Sequence, residues 1–436
     1  MIKQFTDFSQ GFVSSSSKSS YNFSRMTVSN DKTKIICIGA GASGLFFALH
    51  CADKTHDVIL IDSNAKAGRK MYISGKGRCN ITNNCEVKEF ISNVVRNPRF
   101  LYSAISRFTP ADTIDFFNEH GCPLKTERGD RVFPVSDRSA DIIDCLVKEC
   151  RKQKVELRFN ETVTDIRKEN GQFIVCCKDR KYYADRLVIA TGGRSYPSTG
   201  STGDGYRFAQ SFGHNIIETK SALCPIRIKE KISKGMLKMT LKNVSLTASN
   251  DSFNKTLFGD MEFLPGSITG PIVLSMSSLI NRLGHVDLSL DLKPALDEDK
   301  LDKRLIREIE KEPNKNVLYL LKTLLPEEFI EFFLNNTDTD PDTVLNSLTR
   351  EKRLQILHEL KHLPLSFDGL ESIDKGIVTS GGVDVNEIDP KTMESKLCDG
   401  LYFIGEVLDV DALTGGFNLQ IALSTGYSCA QAIRKN

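Results

Sequence analysis

The chain has 436 residues, enough for two or three domains and a substantial core. Hydrophobic residues make up 40% and charged residues 26%, the balance of a soluble globular protein. No apolar run approaches the ~18 residues of a membrane span. A formal net charge of +2 supplies no field that would draw the chain to nucleic acid or to an anionic membrane. The 12 cysteines are scattered, with no CxxC pair and no Cys/His cluster at zinc spacing. They predict a reduced, cytoplasmic chain without a metal centre, its thiols serving as small apolar groups.

Residues 1–32 carry the serine runs 14–17 and 19–20 and little apolar periodicity, which predicts a disordered tail, with Met26 as an alternative start. Residues 34–62 are the most informative stretch. Ile35, Ile36 and Ile38 read as a strand, Gly39, Gly41 and Gly44 as a turn, and the following residues as an amphipathic helix. A second apolar run, 58–61, stops at Asp62, 18 positions after Gly44. Strand, glycine turn, helix, strand and terminal acid form the dinucleotide-binding fingerprint in its required context. Gly39 permits the tight turn, Gly41 lets a pyrophosphate reach the backbone, and Gly44 lets the helix pack on the sheet. The helix N-terminus, entered through Ala42 and Ser43, offers N–H groups to phosphate, and Asp62 suits an adenosine ribose.

A glycine- and cation-rich stretch follows, with Arg69, Lys70 and the run 74–80 containing Gly77, Arg78, Cys79 and Asn80. Helical patterns cover about 98–120 and 140–152, with a turn centred on Pro134 between them. Residues 155–159 read as a strand. Residues 161–168 and 172–178 read as a hairpin turning at Asn170-Gly171. Another apolar strand, 187–190, ends in Thr191-Gly192-Gly193. From about residue 221 short alternating segments predict antiparallel strands, and 299–362 is mostly helical. Strand-like segments return at 365–383, and 401–404 leads into Gly405-Glu406, a glycine pair and a final helix from about Asn418.

That last segment is the second constellation. Gly415 and Gly416 open a helix whose N-terminus suits the pyrimidine end of a flavin, where its N–H groups would stabilise negative charge on the reduced ring. Such stabilisation raises the electron affinity of the cofactor. Cys79 has no partner cysteine within a few residues, which favours a structural role. His50 and His56 flank the first helix and read as surface or packing residues.

The motifs GAGASGL, GRKMYISGKGRCNITNN, RVFPVSDRSADIIDCL, ATGGRSYPSTGSTGDGY and GEVLDVDALTGGFNLQIALSTG occur in this order. Together they resemble the BaiN/RdsA-type NAD(P)/FAD-dependent oxidoreductases, an HI-0933-like flavoprotein family also labelled aminoacetone oxidase-like. The resemblance spans about residues 34–432. It implies an α/β fold: an FAD-binding Rossmann-like domain of the glutathione-reductase or fumarate-reductase type, interrupted by an inserted β-barrel and helical subdomain. The expected division is a tail at 1–32, FAD-binding parts at 33–200 and 371–436, and an insert at 201–370 with helices at about 294–363. The resemblance also implies flavin contacts. Gly39, Gly41, Ala42, Ser43, Gly44 and Asp62 would hold the ADP half, with Arg69 and Lys70 beside it and Val163 against adenine. Thr191 and Gly192 would flank the pyrophosphate, and Gly405, Glu406 and Asp409 the ribityl chain. Gly77, Arg78, Asn80, Gly416, Asn418, Leu419 and Gln420 would face the isoalloxazine, with Arg78 bringing a cation to it.

The chain departs from the family where relatives commonly carry FTHxGISGP. Pro265 stands at the usual histidine and Ser267 at a usual glycine. If that histidine touches substrate in relatives, the substrate here differs. The function expected is an FAD-dependent oxidoreductase of a small organic substrate, with NADH or NADPH as candidate donor. An amine oxidase, an RNA-modifying flavoprotein and a non-catalytic flavin binder are the alternatives. Near-neutral charge and no basic stripe weigh against RNA, with a local basic face left open. A disulfide reductase is disfavoured because neither a cysteine pair near the first helix nor a second GxGxxG unit occurs. No catalytic residue is assigned, and the oligomeric state is open.

Overall fold

The computed structural model describes residues 32–435; the serine runs and Met26 lie outside them. β1 (Thr33–Ile38), α1 (Ala42–Cys51) and β2 (His56–Ile61) form the first βαβ unit. The two strands pair in parallel. Arg186–Ile189 lies on the other side of β1, and Leu401–Phe403 and Glu156–Arg158 complete a five-stranded parallel sheet. Parallel strands covered on both faces need continuous apolar runs, which these segments supply except for the edge strand Glu156–Arg158. α1 was expected to be amphipathic, yet nearly every residue of it is buried. It packs between β2 and the helices Ser139–Lys152 and Phe417–Ile433. A Cβ on Gly426 would stand 2.7 Å from the Ser43 carbonyl oxygen, so that glycine sets how closely the last helix crosses α1.

The helical pattern at 98–120 is two helices, Pro98–Arg107 and Pro110–Glu119. Thr109 and Asp112 form a reciprocal capping box at the break, and Pro110 starts the second helix. The turn expected at Pro134 is the end of a strand, Arg131–Pro134, paired with Leu124–Glu127 and Thr82–Asn83. The hairpin at Asn170-Gly171 forms as expected and gains a third strand, Lys181–Ala184.

Seven antiparallel strands between Ile226 and Leu370 form one sheet, with Leu363–Leu365 at one edge and Phe367–Leu370 at the other. Ser366 alone separates these two edge strands in the chain. An open seven-stranded sheet would hold its edges roughly 29 Å apart, at about 4.8 Å per strand. One residue cannot bridge that, so the sheet is curled into a barrel. The helices Glu298–Lys311, Val317–Leu324, Glu327–Asn335 and Arg350–Lys361 share one apolar core with it, through Leu305, Leu321, Phe329 and Leu360 among others. A separate core unites residues 35–209 with 383–433. Tyr206, Phe208 and Ala209 belong to this first core, so the insert boundary expected at residue 201 falls within it. The chain passes between the cores along a two-stranded ribbon of Ile216–Ala222 and Val378–Val383. Among the described residues no helix is long and apolar enough to cross a membrane.

Candidate functional site

A cavity of ≈ 1190 Å³ opens at the C-terminal ends of β1, β2 and Arg186–Ile189 and extends to the outer face of the barrel. Ligands in open α/β sheets bind at this end of the strands. Gly39 has φ +111°, and a Cβ there would meet the Ala190 carbonyl oxygen at 2.3 Å. A Cβ on Gly44 would lie 1.9 Å from the Gly39 oxygen, so Gly44 makes helix–strand contact and does not line the cavity. Gly41 differs from both: nothing lies within 4 Å of its missing Cβ, and it faces the cavity with Ala42 and Ser43. That open space at a helix N-terminus is the cradle a pyrophosphate needs.

Asp62 stands at the end of β2 on the cavity wall. Its Oδ2 accepts the Ala40 N–H at 2.7 Å, and Oδ1 accepts both N–H groups of Asn64, backbone and side chain, at 2.7 and 2.9 Å. Asn64 also accepts from Arg69 at 2.9 Å. The carboxylate is thus aimed before any ribose arrives. Val163 lines the same end, as do Thr191 and Gly192. The Thr191 hydroxyl and Asn80 Oδ1 are buried without a partner among the described residues, two wall atoms that a bound polar ligand could satisfy.

Lys70 and Glu406, both on the wall, form a bidentate ion pair at 2.8 and 2.7 Å. Ser195 donates to Glu406 at 3.1 Å and the Thr379 N–H at 2.9 Å. This node joins four distant segments; Ser195 lies within the motif at residues 190–206 but was not singled out, and Thr379 carries no sequence signal.

Other expected contacts face elsewhere. Arg78 is on the wall, but its guanidinium binds Glu127 and Asp137 and stacks 4.2 Å from the Phe133 ring centroid, so its charge is already neutralised. Gly77, Gly405, Asp409 and Gln420 do not line the cavity. Gly77 (φ +84°) serves a left-handed turn, and a Cβ on Gly405 would strike Ser43 Oγ at 2.6 Å. Asp409 is 2% exposed and accepts from Arg96 Nε at 3.0 Å and from Asn97. Gln420 is fully buried: its Oε1 accepts from Thr82 and Thr113 at 2.6 and 2.7 Å, and its amide donates to the Phe108 carbonyl and Ser424. Gly416, Asn418 and Leu419 are on the wall. Asn418 both accepts from and donates to the Ala412 backbone, at 3.0 and 2.8 Å, which closes the 412–418 loop.

Cys79 is buried, lies off the cavity, and has its thiol pushed up to about 12 by burial, which leaves no thiolate for redox chemistry. None of the seven histidines lines the cavity. His50 sits among Phe46, Phe116 and Tyr427, its pKa lowered to about 4 by burial. Among the described residues no cluster of three or more His, Cys, Asp or Glu is placed to hold a metal. Pro265 is exposed at a hairpin turn, and Ser267 donates to Glu371 at 3.1 Å. Neither lines the cavity, so this departure from the family pattern gives no ground for a changed substrate.

The barrel wall of the cavity was not foreseen. It is made by Phe258, Asp260, Glu262 and the residues 269–271 that enter the helix Pro271–Ile280. Phe258 shares a sheet face with Asn254 and Thr256 and is 58% exposed. An aromatic in that polar alternation was the available signal.

A family model described as the HI0933-like protein Rossmann domain matches residues 33–432. The ribosomal RNA dihydrouridine synthase of Escherichia coli strain K12 is 34% identical over 398 residues, covering 91% of this chain and 96% of that protein. The 3-dehydro-bile acid delta(4,6)-reductase of Clostridium scindens is 28% identical over 406 residues, covering 92% and 98%. A solved 3-ketosteroid-delta4-(5alpha)-dehydrogenase from Rhodococcus jostii RHA1 superposes with TM-score 0.50 over 94% of this chain and 99% of its own, at 12% identity, a likeness of fold. The match runs from β1 into the last helix, and the chain belongs to the HI0933-like family of Rossmann-fold, FAD-binding oxidoreductases.

Proposed function

We propose that this protein is an NAD(P)H-linked, FAD-dependent reductase of a carbon–carbon double bond conjugated to a carbonyl, with uridine in RNA as its substrate. The observation that carries the reading is the continuity of the cavity. It runs from the dinucleotide cradle to a second compartment walled by the barrel, where Phe258 offers an aromatic face to a planar ring. The activities for which the two relatives are named share that bond type: a uracil ring and a bile acid dienone both present an alkene conjugated to a carbonyl. The RNA reading follows the more similar of the two.

Bound FAD would supply hydride transfer. Gly39, Gly41, Ala42, Ser43, Asp62, Arg69, Val163, Thr191 and Gly192 would hold its ADP half. Lys70 and Glu406 would meet the chain between phosphate and ring. Asn80, Gly416, Asn418 and Leu419 would border the ring. Gly44, Gly77, Gly405, Asp409 and Gln420 act behind the wall, by shaping the backbone that carries these contacts. The net reaction consumes NAD(P)H and a proton and converts the alkene to two C–H bonds.

The test uses flavin-loaded protein. Anaerobic mixing with NADH and with NADPH should bleach the flavin. Deproteinised ribosomal RNA should then yield, on digestion and mass spectrometry, a nucleoside two hydrogens heavier than uridine. A 3-oxo-4,6-diene steroid is the parallel substrate. Reduction of the steroid without change in the RNA would replace uridine by a small enone. Failure of both would remove the reductase reading.

A further inference from the structure

We propose that the basic segment at residues 227–242 is the track on which the backbone of the RNA substrate lies, an inference that rests on the uridine reading above. This segment holds Arg227, Lys229, Lys231, Lys234, Lys238 and Lys242 against a single acid, Glu230. Such a run is usually a solvated surface, and three features set this one apart.

First, the acid is withdrawn from it. Glu230 turns inward, where Oε1 accepts the Ser366 N–H at 2.7 Å and Oε2 is buried. Second, the cations are free. Lys229, Lys231, Lys234 and Lys242 are exposed and enter no ion pair among the described residues, while Arg227 lies 3.4 Å from Asp368. Some cations elsewhere in the same half of the chain are matched, as in Lys300–Asp297, Arg353–Asp302 and Lys361–Asp291.

Third, the segment leads to the cavity. Thr240, Leu241 and Val244, on either side of a bulge at 242–243, pair with the strand that carries Asp260 and Glu262, both on the cavity wall. The charges at that rim are engaged: Asp260 accepts the Asn243 N–H at 3.1 Å, and Lys76 lies 3.4 Å from Glu262. Phe258, on the same strand, is exposed within the cavity. Cations that follow a backbone toward an aromatic platform for an unstacked base are the arrangement single-stranded RNA requires.

The test compares flavin-loaded wild type with Lys229→Gln/Lys231→Gln/Lys234→Gln, binding deproteinised ribosomal RNA across a salt series. Wild type should bind with affinity that falls steeply as salt rises. The variant should lower the slope of log K against log salt by about 2–3, at roughly 0.7–0.9 per lost phosphate contact. Its FAD content and its rate of flavin reduction by the active nicotinamide should match wild type, which excludes misfolding. An unchanged slope in a variant of normal FAD content overturns the track while leaving the uridine reading standing. Wild type that fails to hold RNA overturns both. Wild type that binds phosphatidylserine vesicles and not RNA reassigns the segment to a membrane surface and overturns the proposal.

Discussion

Two glycine-bearing segments frame the cofactor site, and they work in opposite ways. In the first, residues 39–62, side chains and missing side chains are turned to the cavity: Gly41 leaves open space and Asp62 offers its carboxylate. In the second, residues 405–420, Glu406, Asn418 and Leu419 reach the cavity wall, but the Cβ positions of Gly405 and Gly416 and the side chains of Asp409 and Gln420 are turned into the fold. A Cβ on Gly416 would lie 2.3 Å from the Thr82 carbonyl oxygen, and Asp409 and Gln420 are fixed inside the protein. In the proposed reading the first segment would meet its ligand through Gly41 and Asp62, whereas Gly405, Gly416, Asp409 and Gln420 of the second hold a backbone in place. A highly specific motif is therefore no guide to which of its side chains touches a ligand.

The comparison is broken most severely at Gly416. Valine there, at φ +99°, would drive a branched side chain into the Thr82 backbone, a cost of more than about 4 kcal/mol. The sequence placed Gly416 facing the isoalloxazine; the structure turns its missing side chain into the fold. Gly416→Val should therefore fail to accumulate as soluble apoprotein, with or without added FAD. Soluble variant that has merely lost flavin would return this glycine to the cofactor.

Asp411 sharpens the contrast through pH. It is fully buried in the second segment, and burial raises its carboxyl to about 7. The unfolded chain releases that proton near the ordinary value of 3.8, so between the two the folded state binds the extra proton. Its contribution is complete below 3.8 and is lost as pH rises through about 7, a swing of at most roughly 4 kcal/mol at about 1.4 kcal/mol per unit. Denaturant titrations of wild type and Asp411→Asn across this window should diverge from acid to neutral pH, with wild type losing ground. Parallel curves would show that the carboxyl is hydrated in solution. A smaller effect is expected at Asn418. Alanine removes two hydrogen bonds to Ala412 and should lower apoprotein stability by about 1–2 kcal/mol, read from the urea midpoint.

These effects mark where the sequence was legible. β1, the glycine turn and β2 carry a period, a spacing and a terminal acid, each with one structural meaning, and the geometry of Gly39, Gly41 and Gly44 follows from them. The burial of α1 on all sides was hidden because its covering helices come from residues 139–152 and 417–433, remote in sequence. Barrel closure depends on Ser366 joining opposite edges, a relation no local pattern encodes. The contacts of Arg78 with Glu127 and Asp137 are likewise non-local. The lysine segment was visible, but averaging charge over 436 residues concealed it behind a net +2. The barrel and its helices also bear on domain limits. We propose that the module between the paired passages at 216–222 and 378–383 is the insert, and limited proteolysis should cut in its loops, such as 335–341, before cutting within 34–62.

The most direct test sets one residue of each segment side by side. Asp62→Ala removes a cavity-facing carboxylate, and Gln420→Ala removes a buried amide with four partners. For each variant the measurements are the apoprotein urea midpoint and the FAD dissociation constant. Asp62→Ala gives up the bonds from Ala40 and Asn64, so it should stay folded with a midpoint lowered by about 1–2 kcal/mol, and the folded protein should bind FAD more weakly by about 1.5–3 kcal/mol, roughly 10- to 150-fold. Gln420→Ala should lose about 2–3 kcal/mol of apoprotein stability, and the fraction that remains folded should bind FAD within a few-fold of wild type. The reverse result, a stable Gln420→Ala with weakened FAD beside a destabilised Asp62→Ala with normal FAD, would contradict the division between contact and architecture.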